Sequence, residues 1–133
     1  MTKEGFSQRL LLWLPPVLWA SFIFFASAQP KETFEKMGLS GTLLSSAGHL
    51  VVYFVLMSLL VLALRFGSDV PSKWAYPLAF LLVALYGLSD EFHQSFVPGR
   101  TATIADWFID LSGAGIAWFF LIRWEKGRKI PER

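Results

Sequence analysis

The chain has 133 residues, which is enough for one domain and too few for two of ordinary size. Apolar residues make up 54% of it and arrive in long blocks rather than at an amphipathic spacing, which is typical of a membrane protein. The absence of cysteine excludes disulfides, thiolate metal sites and a cysteine nucleophile. The net charge is only +2, with the basic residues gathered at the chain ends and in one loop, and this argues against nucleic-acid binding.

The first apolar run predicts a membrane span over residues 10–28, long enough to cross about 30 Å of hydrocarbon. Pro15 and Pro16 lie within it and should kink or break its first turns. The Ala26-Ser27-Ala28 sequence resembles a signal-peptidase site, so removal of this segment as a signal peptide stays open. We expect an uncleaved helix, because the run is longer than a usual signal core.

Further apolar runs predict three more spans, and a polar loop over residues 29–44 separates the first span from the second. These spans cover residues 46–66, 74–89 and 104–124. The sequence therefore predicts an all-α membrane protein, a single domain formed by a bundle of four transmembrane helices.

The distribution of Lys and Arg predicts the orientation of this bundle. Four spans place both termini on one side, together with the loop between the second and third spans. Most of the basic residues belong to that side: Lys3, Arg9, Arg65, Lys73, Arg123, Lys126, Arg128, Lys129 and Arg133. The other side has only Lys31, Lys36 and Arg100. The positive-inside rule then puts both termini in the cytoplasm and the polar loops of residues 29–44 and 89–103 outside.

Polar residues far apart in the sequence are predicted to meet at the outer end of the bundle. They lie near the start of the second span, at the end of the third and near the start of the fourth. These three span ends are all on the same side of the membrane. The residues are His49, Tyr53, Asp90, Glu91, Gln94, Asp106 and Asp110, with Arg100 in the connecting loop. We expect them to form one outward-facing patch.

Helical spacing refines this expectation. Asp106 and Asp110 are four residues apart and share one helix face, which Gly113 continues. Gly113 and Gly115 should let a neighbouring helix approach closely. Asp90 and Glu91 are adjacent, so they point about 100° apart on a helix and cannot act as one pair. One of them can face the bundle together with Gln94.

Candidate roles follow from the residue types. His49, Asp90 and Glu91 are candidate catalytic residues, with His49 as the general acid/base. Combined with Asp106, His49 could instead belong to an oxygen-rich site for a divalent metal. The chain has no tight metal-binding motif, so we expect neither a metal nor another cofactor, with the metal as the weaker alternative. His93 is expected at the surface or the interface.

The candidate ligand-binding residues are Tyr53, Gln94, Arg100, Asp106 and Asp110. Arg100 is suited to bidentate capture of a phosphate or a carboxylate, and Pro98-Gly99 should form a tight turn that directs it. A purely structural role is equally compatible with the sequence. In that case Arg100 forms an ion pair with Asp106 or Asp90 that fastens the loop to the bundle.

The string Asp90-Glu91-x-x-Gln94 to Pro98-Gly99-Arg100, followed by an acidic helix start and a Gly-x-Gly step, resembles the VanZ-like family of small bacterial membrane proteins. Ser27-x-Gln29 after the first span, and His49 with Tyr53, fit the same family. One departure is Asp110, because Asn is frequent there in the family and this chain has no Asn. If the family needs a neutral side chain at this position, a protonated Asp110 would have to take the place of the Asn.

The resemblance implies a multi-pass protein of the bacterial cytoplasmic (inner) membrane with a role in the cell envelope. The founding member is associated with teicoplanin resistance. The implied partners are membrane lipids, a lipid-linked envelope precursor or a glycopeptide. The residues leave three hypotheses open: a binding or catalytic module, a structural or partner-binding protein with an internal ion-pair clasp, and a proton-coupled or ion transporter. The transporter is the least supported, because the acidic residues gather at one end of the spans.

Overall fold

A computed structural model describes residues 3–38 and 42–128, and all regular structure within these ranges is helical. Four segments are long and apolar enough to cross a membrane: Ser7–Ser27, Ser45–Gly67, Ser72–Gln94 and Ile104–Arg128. The predicted all-α fold with four transmembrane helices is confirmed. The helices are α1 (Lys3–Leu11), α2 (Leu14–Ser27), α3 (Lys31–Lys36), α4 (Thr42–Leu62, continued by a π-helical turn over Ala63–Gly67), α5 (Ser72–Gln94) and α6 (Ile104–Arg128).

The first span is interrupted, as its prolines predict. Helix α1 ends at Leu11 and α2 begins at Leu14, so that Pro15 and Pro16 occupy the first turn of α2. Proline is well accommodated there, because the N–H groups of a first turn have no partner within the helix. The two prolines therefore start a helix instead of kinking one.

The helices differ from the sequence prediction in ways that matter for the polar residues. Helix α5 runs to Gln94 rather than to residue 89, so the polar residues that follow residue 89 lie on its last turns. The predicted polar loop of residues 29–44 contains the short helix α3. Glu32 lies in the first turn of α3 and Lys36 in its last, which suits the helix dipole. Gly38, with φ +73°, follows this helix in a conformation that favours glycine.

Small residues let the spans pack closely. A Cβ atom at Gly113 on α6 would lie 2.3 Å from the carbonyl oxygen of Leu50 on α4, so only glycine fits there. The predicted close approach is thus confirmed at Gly113. It is wrong at Gly115, where a Cβ would meet nothing within 4 Å. Close backbone contact matters in a membrane, because lipid tails remove the hydrophobic advantage of helix association.

Aromatic side chains connect the spans through hydrogen bonds to backbone carbonyls. The Trp19 indole donates to Val52 at 2.8 Å, the Tyr86 hydroxyl donates to Ala20 at 2.6 Å, and the Trp107 indole donates to Ala84 at 2.9 Å. Each bond satisfies a polar group that would otherwise face hydrocarbon. Together they set the rotation of α2, α4, α5 and α6 against one another.

The two ends of the bundle differ in their chemistry. At the end that carries α1 and the last turns of α6, Arg9 pairs with Asp69, and Arg65 pairs with Glu125. We call this the terminal end. The opposite end is formed by the last turns of α2 and α5 and the first turns of α4 and α6, and we call it the polar end. The described candidate residues lie there.

Candidate functional site

Asp90 is the acceptor at the centre of a buried polar network at the polar end. Its Oδ2 accepts hydrogen bonds from Ser27 Oγ at 2.9 Å, Gln94 Nε2 at 3.0 Å and Tyr53 Oη at 3.3 Å. The donors come from α2, α5 and α4, and all four side chains are buried. The network therefore joins three spans at one oxygen atom. The other carboxylate oxygen, Oδ1, has no partner among the described residues.

A second group, the three-helix cluster, consists of His49 on α4, Glu91 on α5 and Asp110 on α6. His49 Nδ1 and Asp110 Oδ1 are 2.9 Å apart, a hydrogen bond in which the carboxylate accepts. One potential ligand atom from each residue lies within 4.8 Å of those of the other two. Asp110 is 0% exposed, Glu91 is 6% exposed and the His49 side chain is 15% exposed. The cluster thus brings an imidazole and two carboxylates together with little access to solvent.

Asp90 and Glu91 diverge as their helical spacing requires. Asp90 points to Ser27 and Tyr53, whereas Glu91 points to the start of α6, where its Oε2 accepts the backbone N–H of Thr103 at 3.0 Å. The prediction that they cannot act as one pair is borne out by these contacts. Both side chains are buried, and each serves a different group of residues.

The sequence predicts that Asp106 lies with His49, but in the structure Asp106 bonds to Thr103 instead. Its carboxylate accepts the Thr103 hydroxyl at 2.6 Å, and its backbone N–H donates to Thr103 Oγ1 at 3.1 Å. Thr103 immediately precedes α6, so the pair caps the helix N-terminus. Asp110, one turn deeper in the bundle, is the carboxylate that reaches His49.

Arg100 does not form the ion pair predicted with Asp106 or Asp90. Its Nε donates to the Gln29 carbonyl at 3.2 Å and one terminal nitrogen donates to the Ala26 carbonyl at 3.3 Å. Its guanidinium also lies 4.8 Å from the centre of the Phe34 ring. Carbonyls at a helix C-terminus attract cations, and this explains the choice of partner. Among the residues with described positions, Arg100 therefore fastens its loop to the end of α2 through neutral groups.

The turn that positions Arg100 forms as predicted. The Arg100 N–H donates to the Val97 carbonyl at 3.1 Å, which closes a turn with Pro98 and Gly99 at its centre. Gly99 has φ +75°, the conformation that a type II turn requires at its third residue. Partial burial lowers the pKa of Arg100, opposed by the carboxylates of Asp90, Glu91 and Asp106. The residue still carries its charge, because the pKa of a free guanidinium is above 12.

His93 lies apart from both groups. Its ring is half-buried and stacks on Phe24 of α2 at 4.4 Å between ring centres. The sequence predicts a position for His93 at the surface or the interface. Thr103 was missed as a site residue, although its position three residues before Asp106 is the spacing of a capping box. Ser27, as a donor to Asp90, carried no signal outside the family resemblance.

The comparisons with known proteins bear on the whole chain. The family model described as VanZ/LLP1 matches residues 12–125, which is most of the sequence. No curated protein and no solved structure matches the chain. The family match confirms the resemblance, and together with the four apolar helices it identifies a multi-pass membrane protein.

Proposed function

The chain belongs to the VanZ/LLP1 family, and on that basis we propose that it binds the polar headgroup of an envelope lipid, or of a lipid-linked wall precursor, at its polar end. The proposal places this end at the outer face of the bacterial cytoplasmic membrane. The distribution of Lys and Arg supports that orientation, since the loops at the polar end have few of them. A consequence of binding would be a change in susceptibility to teicoplanin.

The observation that carries the proposal is the three-helix cluster. His49, Glu91 and Asp110 are largely buried where helices end, yet hydrogen bonds within the described part of the chain leave two of their carboxylate oxygens unused. Buried ionisable groups are costly in a membrane protein, and they tend to mark a binding or proton-transfer site. An imidazole hydrogen-bonded to a carboxylate is also a recurrent acid–base pair.

The contacts of the remaining candidates suggest supporting roles. The Asp90 network with Tyr53 and Gln94 holds α2, α4 and α5 together directly beside the cluster. We propose that Arg100 positions the loop above the site rather than capturing an anion, because it already binds two carbonyls. Asp106 takes no part in ligand binding in this proposal, since its carboxylate is engaged in capping α6.

The test measures teicoplanin susceptibility and co-purified lipid for cells that express the wild type, His49→Ala, Glu91→Gln or Asp110→Asn. Membrane levels are checked by immunoblotting. We expect each variant to lose the susceptibility effect and the associated lipid at an unchanged protein level. His93→Ala is the matched control, because it removes an imidazole outside the cluster, and it should behave as the wild type. Variants that retain both the effect and the lipid would disprove the proposal.

A structural or partner-binding role is the second candidate, and the contacts of Arg100 favour it. Arg100 connects the loop before α6 with the end of α2 and with Phe34 on α3. In this role the polar end is a clasp that keeps the first span attached to the other three. The same experiment distinguishes the two candidates, because a clasp predicts that any lost effect follows a fall in protein level.

A further inference from the structure

Two buried carboxylate oxygens in the three-helix cluster lack hydrogen-bond partners among residues 3–38 and 42–128. They are Glu91 Oε1 and Asp110 Oδ2. Both residues are more than nine-tenths buried. An unsatisfied buried polar atom costs free energy, and such atoms are rare in folded proteins unless something binds them. The two oxygens therefore indicate a ligand that is either a cation or a hydrogen-bond donor.

The geometry of the cluster favours a single ion. One potential ligand atom from each of His49, Glu91 and Asp110 lies within 4.8 Å of those of the other two residues. Atoms that bind one Zn²⁺ tetrahedrally at about 2.0–2.2 Å lie roughly 3.5 Å apart, so a pair of ligand atoms at the 4.8 Å limit would have to approach by about 1 Å, which side-chain rotation can supply. Each ligand residue lies on a different helix. Two of these helices, α4 and α6, are packed tightly where Gly113 meets Leu50. The packing therefore holds the backbones that carry His49 and Asp110 in place.

We propose that His49, Glu91 and Asp110 bind one divalent metal ion of the zinc or manganese type. One imidazole and two carboxylates suit Zn²⁺ and Mn²⁺ better than Mg²⁺, which prefers an all-oxygen octahedron with several waters. Three protein ligands leave a coordination position open, as in catalytic rather than structural zinc sites. The ion would also compensate the excess of carboxylates over imidazole in the cluster.

Neighbouring residues support such a site. The Thr103 N–H holds Glu91 Oε2 at 3.0 Å and thereby orients the other oxygen. The His49–Asp110 hydrogen bond engages Oδ1 and leaves Oδ2 of the same carboxylate available. Gly87 lies beside this atom, because a Cβ built at Gly87 would be 3.4 Å from Asp110 Oδ2. Hydrogen bonds that orient ligands in this way are typical of metal sites.

A metal ion also explains how an acidic cluster could accept an anionic headgroup. Carboxylates alone repel a phosphate, whereas a bound divalent ion offers a positive charge and an open position to a phosphate or carboxylate oxygen. In this respect the inference rests on the proposed function and deepens it. The binding of the metal itself is independent of that function and can be tested without a lipid.

The experiment uses tag-free protein in detergent micelles, stripped with a chelator and titrated with ZnCl₂, MnCl₂ or MgCl₂. Bound metal is determined by mass spectrometry and affinity by calorimetry. We expect about one Zn²⁺ per chain, weaker Mn²⁺ binding and little Mg²⁺ binding. His49→Ala, Glu91→Gln and Asp110→Asn should each weaken Zn²⁺ binding by roughly 100-fold, since loss of a direct ligand should cost at least as much as loss of an outer-shell partner. Asp106→Asn and His93→Ala, which change the same residue types outside the cluster, should bind as the wild type does.

Thermal unfolding keeps the test decisive if a variant folds poorly. Zn²⁺ should raise the unfolding temperature of the wild type and of Asp106→Asn, because the ion binds only the folded chain. Wild-type protein that binds no Zn²⁺ or Mn²⁺, or binding that survives all three cluster substitutions, would overturn the inference. If lipid co-purification persists in that case, the proposed function stands without the metal. If the metal binds but no lipid associates with it, the proposed function fails and the metal site remains.

Discussion

Asp110 is the residue on which the candidate site depends most. It is fully buried, it bonds to His49, and its second oxygen has no partner in the described part of the chain. In the resemblance to the VanZ-like family, Asn is frequent at this position. An Asn could accept the hydrogen bond from His49 but would bring no negative charge. The Asp in this chain therefore adds a possible metal ligand where the amide would be neutral.

The contacts of Arg100 lead to a prediction at the scale of the residue. Arg100→Ala should lower the free energy of unfolding by about 1–3 kcal/mol, because it removes charge-assisted hydrogen bonds to two carbonyls. The measurement is denaturant unfolding in mixed micelles. Arg123→Ala is the control, since Arg123 is exposed and its described contact is with the Phe119 ring on its own helix.

The charge-swapped variant Arg100→Asp with Asp106→Arg tests the same contact in a second way. Because Arg100 binds backbone carbonyls, the swap should not restore stability. Restored stability in this double variant would show that the two side chains do interact, contrary to the described contacts.

At the scale of the elements, the contact between α4 and α6 decides how the cluster is assembled. Gly113 brings the backbone of α6 against Leu50, one residue after His49, and it lies three residues after Asp110. The same close approach thus places His49 beside Asp110. Hydrogen bonds from Trp19, Tyr86 and Trp107 to carbonyls of neighbouring spans hold the other helices in register.

Substitutions at the two glycines of α6 test this packing. Gly113→Ala should lower the free energy of unfolding by about 1–3 kcal/mol, because the new methyl group would lie 2.3 Å from the Leu50 carbonyl oxygen and force the helices apart. Gly115→Ala should be neutral or slightly stabilising, since alanine favours the helix and a Cβ there meets nothing within 4 Å. Both variants are measured by thermal unfolding in micelles. An equal effect at the two positions would rule out the packing explanation.

At the scale of the whole molecule, the four spans bring every cluster residue to one end and the basic residues mostly to the other. This polarity predicts an orientation in the membrane, with the polar end outside. The chain lacks cysteine, so a single introduced cysteine can report on its position without background.

We expect Ala102→Cys, in the exposed loop before α6, to react in intact cells with a membrane-impermeant maleimide. Lys73→Cys, which is exposed near the start of α5 at the terminal end, should react only after the membrane is permeabilised. Labelling with the opposite pattern would invert the orientation and move the proposed site to the cytoplasmic face.

The sequence by itself determined the number of spans, the family resemblance and the end of the bundle at which the polar residues gather. These properties follow from the length of apolar runs, from the motif and from counting spans, and none of them needs a side-chain contact. The sequence also predicted the turn before Arg100 and the divergence of Asp90 from Glu91, because glycine conformation and helical spacing are local.

Only the tertiary structure decided which of these polar residues meet. Asp106 and Asp110 share a helix face, and no local rule distinguishes which of them reaches His49. The depth at which α6 passes α4, set by the Gly113 contact, selects Asp110 and leaves Asp106 to cap its own helix. Arg100 likewise had carboxylates available along the sequence but binds carbonyls of α2, because the fold ends that helix beside its loop. Partner choice depends on helix rotation and depth, which are properties of the packed bundle.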